Sequence, residues 1–176
     1  MTLPNWITAL RIALVPVFFW VAFEDSVGAA VAAFLLFLVA SLSDSLDGYL
    51  ARRTNTISRL GQFLDPTADK LLIGAALIVL VRTRDFPLWV AGLIAFREIA
   101  VQILRTQIVR GGRDLPSSPA GKLKTVMQIC MVCWWLLPWN DQNPGHWLLL
   151  AVSLFTTMWS GVEYFMHARR SPAVVG

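Results

Sequence analysis

The sequence is short of charge, cysteine and histidine. Charged residues make up 15% of its 176 positions, against about a quarter in soluble domains. That scarcity, beside an apolar majority, excludes a disordered chain and a charged coiled coil. Two cysteines are too few for a disulfide scaffold. The two histidines, His146 and His167, sit at the ends of apolar runs, where an amphipathic ring is ordinary, so no convincing nucleophile stands out. The net charge of +4 is small and gives no reason to expect a nucleic-acid partner.

Apolar residues are what the chain has in excess: 56% of it, with eight Trp and ten Phe. A core of this size cannot bury so much apolar surface, so much of it must face lipid. The composition predicts an all-α, polytopic membrane protein. A helix needs about 20 apolar residues to cross the hydrocarbon layer. Six segments meet or approach that length, at 8–23, 27–50, 61–82, 86–109, 122–139 and 145–166. They predict six transmembrane helices preceded by a short N-terminal juxtamembrane segment, with Pro16 as a kink in the first. Residues 1–25 read as a retained span rather than a cleaved signal, because Pro16 interrupts the apolar run and no small-x-small site precedes Glu24. No internal repeat or linker is visible, so residues 1–176 form one expected domain.

Orientation follows from the basic residues in the connections. Arg52, Arg53, Arg59, Arg110, Arg113, Lys122, Lys124, Arg169 and Arg170 lie on one side, against Arg82 and Arg84 on the other. Nine against two places both termini in the cytoplasm, with the charged halves of spans two to four.

Residues 44–70 read DSLDGYLARRTNTISRLGQFLDPTADK, with aspartates at 44, 47, 65 and 69. At about 100° per residue, Asp44, Asp47, Gly48, Ala51 and Arg52 share one face of the second span. Asp65 and Asp69 stand one turn apart on the third, with Gly61 on the same stripe. Two antiparallel helices joined by a short connection would bring both pairs together. Four such anions repel unless something positive sits among them, and oxygen-only ligands select hard cations such as Mg²⁺, Mn²⁺ or Ca²⁺. Arg52 can grip a phosphate through its planar fork. The alternative, an inter-helix salt-bridge network, needs matching cations, and only Arg52 and Lys70 are well placed.

The spacing Asp44-x2-Asp47-Gly48-x2-Ala51-Arg52-x8-Gly61-x3-Asp65-x3-Asp69 resembles the signature of the CDP-alcohol phosphotransferase family at every defined position. LPNWITALR near the start, and REIAVQILR and GKLKTVMQ between 97 and 128, resemble the bacterial members whose acceptor is glycerol 3-phosphate. The resemblance covers nearly the whole chain. It implies six transmembrane helices in a bacterial-type inner membrane, often as a homodimer, with the active site open to the cytoplasmic leaflet. It implies that Asp44, Asp47, Asp65 and Asp69 hold two divalent ions, Mg²⁺ or Mn²⁺, and that Asp69 doubles as general base. Gly48, Arg52 and Ser58 match positions that touch the CDP moiety of CDP-diacylglycerol. Asn5 and Thr8 match less fully, and helix capping would explain them equally well.

The chemistry is coherent without the resemblance. An alcohol must attack the phosphorus of an anionic pyrophosphate. Paired divalent metals neutralise that charge and stabilise the leaving CMP, while a carboxylate takes the hydroxyl proton.

The acceptor must be read from the remaining cations. Arg97 and Arg105 lie within span four, and Lys122 and Lys124 open span five. Four cations beside an anion-rich site suggest an anionic acceptor, so they are the candidate phosphate-binding residues. Glycerol 3-phosphate fits; phosphatidylglycerol, giving cardiolipin, and an inositol phosphate remain alternatives. Against this, the lysines would serve equally as cytoplasmic anchors, and Arg97 could simply pair with Glu98 or an aspartate. A divalent-cation transporter is the reading from another class, but its sites favour the midplane between internal repeats. Cys130 and Cys133 read as packing thiols, and Trp134, Trp135, Trp139 and Trp147 as an outer aromatic belt.

Overall fold

The computed structural model describes the backbone of residues 3–54, 59–110, 118–139 and 143–170, and the side chains of residues 10–43, 68, 70–108, 118–139 and 143–168. All regular structure among them is helical: α1 Leu3–Ala22, α2 Val27–Thr54, α3 Arg59–Thr83, α4 Leu88–Arg110, α5 Pro119–Leu136 and α6 Pro144–Arg170. Each expected segment falls on one helix. The first helix begins ahead of the expected apolar run, since α1 starts at Leu3 and runs on through Pro16.

Local chemistry sets the helix ends. Ser26 Oγ accepts the Ala29 N–H at 3.0 Å and caps α2. Ser118 Oγ accepts the Gly121 N–H at 3.1 Å, with Pro119 opening α5. Asn143 Oδ1 does the same for Gly145 at 2.9 Å ahead of α6. Beyond α3, Asp85 takes a left-handed φ of 52°, a region that short polar side chains tolerate, and the Phe86 N–H reaches back to the Leu80 carbonyl at 3.3 Å. Pro138 disfavours helix at the residue before it, so α5 stops at Leu136, short of the expected 139.

Among the described residues, Pro144–Ala168 is long and apolar enough to cross a membrane, and Leu10–Ala22 and Val27–Ser43 are shorter apolar helices. Charges inside α4 and α5 dilute their apolar character. Every helix nonetheless exposes large apolar side chains: Trp20 on α1, Leu35 on α2, Ile78 on α3, Phe96 on α4, Val126 on α5 and Phe155 on α6. Apolar exposure on this scale is what a lipid-facing surface shows and a water-facing one rarely does.

The chain forms two compact units, Met1–Phe86 with Val132–Asn140, and Pro87–Met131 with Asp141–Gly176. In the first, α1 packs on α2 and α3, and α2 on α3. Phe18 and Phe37 meet at its centre, ring centroids 6.0 Å apart, and the buried Ala33, Ala40, Ala68 and Ala76 let the helix backbones approach. Trp135 sits edge-on against Phe86 at 4.8 Å and is only 2% exposed. It is therefore a core residue and not part of an aromatic belt. Trp134 and Trp135 are consecutive, so their side chains leave the helix about 100° apart and cannot share one face. In the second unit α4 packs on α6.

Candidate active site

The aspartate signature falls on two helices that touch. Asp44, Asp47, Gly48 and Arg52 lie in the C-terminal half of α2, and Asp65 and Asp69 in the first half of α3. Helical register therefore holds across both pairs, three apart on α2 and four apart on α3, and α2 contacts α3. The side chains of Asp44, Asp47, Arg52, Asp65 and Asp69, those of Asn5 and Thr8 on α1, and Gly48 beyond its helical backbone lie outside the described residues, as does Ser58 altogether. Among the described residues no group of three or more His, Cys, Asp or Glu could hold a metal.

Near the signature, Arg11 of α1 is 1% exposed, and its Nε donates to the Ala40 carbonyl at 3.2 Å. Ala40 lies one helical turn before Asp44 on α2. Burying a guanidinium is costly unless its donors find acceptors, so this cation is fixed beside the start of the motif rather than left in solvent.

The candidate acceptor cations divide into two kinds. Arg105 and Lys122 are exposed. Arg97 and Lys124 are drawn together by Glu98, whose Oε1 lies 2.6 Å from Lys124 Nζ and 3.1 Å from Arg97 Nη1. Gln128 Nε2 donates to the same oxygen at 3.4 Å and to Thr157 Oγ1 at 3.1 Å. Arg97 Nη2 donates to Ser160 Oγ at 2.8 Å, and Ser160 in turn donates to the Thr157 carbonyl at 3.0 Å. α6 comes close at Gly161, where an added Cβ would meet the Arg97 stem at 3.3 Å. The result is one polar knot joining α4, α5 and α6. Among the described residues its ionised groups are two cations and one anion, with side chains 9–15% exposed.

The sequence profile of the CDP-alcohol phosphatidyltransferase family matches residues 1–159. A CDP-diacylglycerol–glycerol-3-phosphate 3-phosphatidyltransferase of Bacillus subtilis is 41% identical, covering 93% of each chain. A protein of Mycobacterium tuberculosis named as a probable phosphatidylglycerophosphate synthase is 38% identical over 96% of this chain and 82% of its own. An Escherichia coli enzyme with the same name as the Bacillus one is 35% identical over 95% and 94%. The chain belongs to the CDP-alcohol phosphatidyltransferase family.

Sequence reasoning weighed Glu98 only as a partner for Arg97 and did not single out Gln128, Thr157 or Ser160. A signal was present. Lys124 and Gln128 are four apart on α5, and Thr157 and Ser160 three apart on α6, so each pair lines one face of an otherwise apolar helix. Arg11 carries no spacing relation to the aspartates in the sequence, and its place beside Ala40 comes only from the packing of α1 on α2.

Proposed function

We propose that this protein transfers the phosphatidyl group of CDP-diacylglycerol to glycerol 3-phosphate, giving phosphatidylglycerol phosphate and CMP. The observation that carries the reading is the complete aspartate signature on adjoining helices α2 and α3, within a family match over residues 1–159. The names of the Bacillus and Escherichia relatives supply the acceptor. The same reading takes the whole chain as one domain of six membrane-spanning helices in a bacterial inner membrane, as a homodimer, with the active site and both termini cytoplasmic.

In this mechanism Asp69 accepts the proton of the attacking hydroxyl as it closes on the β-side phosphorus of CDP-diacylglycerol, and CMP leaves. Asp44, Asp47, Asp65 and Asp69 offer carboxylate oxygens and no imidazole or thiol, a donor set suited to Mg²⁺ or Mn²⁺. Such ions, when bound, neutralise pyrophosphate charge and stabilise the departing CMP. Gly48 leaves room for the cytidine end, while Arg52, Ser58, Asn5 and Thr8 hold and orient it. Arg97, Arg105, Lys122 and Lys124 take the phosphate of the acceptor. The phosphomonoester is at or near a dianion at neutral pH, so cations that steer it also reject uncharged glycerol.

The test is metal dependence of CMP release by purified protein in detergent. EDTA should abolish it, Mg²⁺ or Mn²⁺ should restore it, and Zn²⁺ should restore it poorly, since the site lacks sulfur and imidazole. Full turnover in chelator contradicts the mechanism.

A further inference from the structure

We propose that Glu98 is the positioning residue of the acceptor site: it holds Arg97 and Lys124 together as a preformed receptor for the phosphate of the acceptor. This inference rests on the acceptor reading above and assigns a role to a residue outside the family signature.

The charge count argues for it. A knot whose only task was to clasp helices in lipid would be most stable with its charges balanced, because surplus charge in a poorly solvated place is costly. Arg97, Glu98 and Lys124 instead leave one positive charge over, on side chains 9–15% exposed. Glu163, the other described carboxylate of this unit, forms no ion pair with Arg97 or Lys124 among the described residues and accepts instead from Ser118 Oγ at 3.3 Å. An arriving anion balances the surplus. Two cations in a fixed mutual geometry meet a phosphate better than two mobile ones, because the ordering cost is met before binding.

The geometry argues for it as well. A single oxygen, Glu98 Oε1, gathers Lys124, Arg97 and Gln128. The outer ends of the arrangement are fixed in turn, Arg97 by Ser160 and Gln128 by Thr157. Gly161 leaves the Arg97 stem just enough room. Arg97 Nε, buried and without a hydrogen-bond partner among the described residues, is a remaining donor on the same guanidinium. Removing the carboxylate would leave two like charges pushing apart, and the phosphate would have to reassemble them on binding. Glu98 would not touch the substrate; it acts through the cations.

The experiment compares Glu98→Gln, Lys124→Met and the double variant with the parent in full-length protein, reading KM for each substrate and competitive inhibition by inorganic phosphate. Glu98→Gln should raise the KM for glycerol 3-phosphate and the inhibition constant of phosphate together, each by about tenfold or more. The KM for CDP-diacylglycerol should stay within about twofold, well under the tenfold that 1.4 kcal/mol represents. In the Lys124→Met background the added effect of Glu98→Gln should shrink, since its target is gone. Lys124→Met leaves a neutral Arg97–Glu98 pair, so it reports even if Glu98→Gln does not fold, and it too should raise the acceptor KM. An unchanged acceptor KM in a folded variant, or equal rises for both substrates, overturns the proposal. If the parent releases CMP with another alcohol and not with glycerol 3-phosphate, the functional reading itself fails, which is a different result.

Discussion

Around α1, α2 and α3 the helices meet through Phe18, Phe37 and a set of buried alanines. In the unit of α4 and α6, with most of α5, they are joined by Arg97, Glu98, Lys124, Gln128, Thr157 and Ser160. In lipid there is little hydrophobic gain from bringing apolar helices together, so close packing of small residues and inter-helix polar bonds are the two means available. The first unit relies mainly on packing and the second on bonds. The packed unit carries the aspartate signature at α2 and α3. The bonded unit carries the cations read as acceptor ligands. One arrangement suits the register proposed for the carboxylates; the other suits charged groups proposed to face an anion.

The contrast breaks most sharply at Asp69. Asp69→Asn keeps the shape and removes the proton acceptor, so CMP release should fall by about 10²- to 10⁴-fold. CDP-diacylglycerol binding should survive better than in Asp44→Asn, for which metal binding is the primary role proposed. Near-normal turnover in Asp69→Asn, measured beside an intact melting transition, would refute the base assignment.

A smaller effect separates packing from chemistry. Phe37 is fully buried against Phe18, so Phe37→Ala should cost about 3–5 kcal/mol of stability. A thermal melt in detergent should show that loss, while the KM for glycerol 3-phosphate at low temperature stays at the parent's value. A selective rise in that KM would mean the packed unit also shapes the acceptor site. The smallest effect belongs to the knot. Gln128→Leu removes donors to Glu98 and Thr157, and should cost about 1–3 kcal/mol together with a modest rise in the same KM. Stability loss with no change in KM would reduce the knot to a clasp.

Much of this organisation was legible beforehand because its signals are periodic. Six apolar runs mark six helices, and spacings of three and four put the aspartates on two faces whatever the packing. The ends were less legible. α1 already begins at Leu3, because Pro4 is tolerated in a first helical turn and Arg11 does not interrupt a helix, whereas the apolar run that marks the span starts later. Trp135 was misplaced because composition counts aromatic residues near an outer connection without resolving which way each points. The pairing of Lys124 with Glu98 spans 26 residues, and no local pattern encodes which distant carboxylate a cation meets.

The most direct measurement is the acceptor chosen by the purified protein, with CDP-diacylglycerol and Mg²⁺ fixed. Glycerol, glycerol 3-phosphate, inositol 1-phosphate and phosphatidylglycerol would be offered in turn and the lipid product identified. Phosphatidylglycerol phosphate from glycerol 3-phosphate, with plain glycerol a poor acceptor, is the expected result. Cardiolipin from phosphatidylglycerol, at a rate exceeding that with glycerol 3-phosphate, would contradict it.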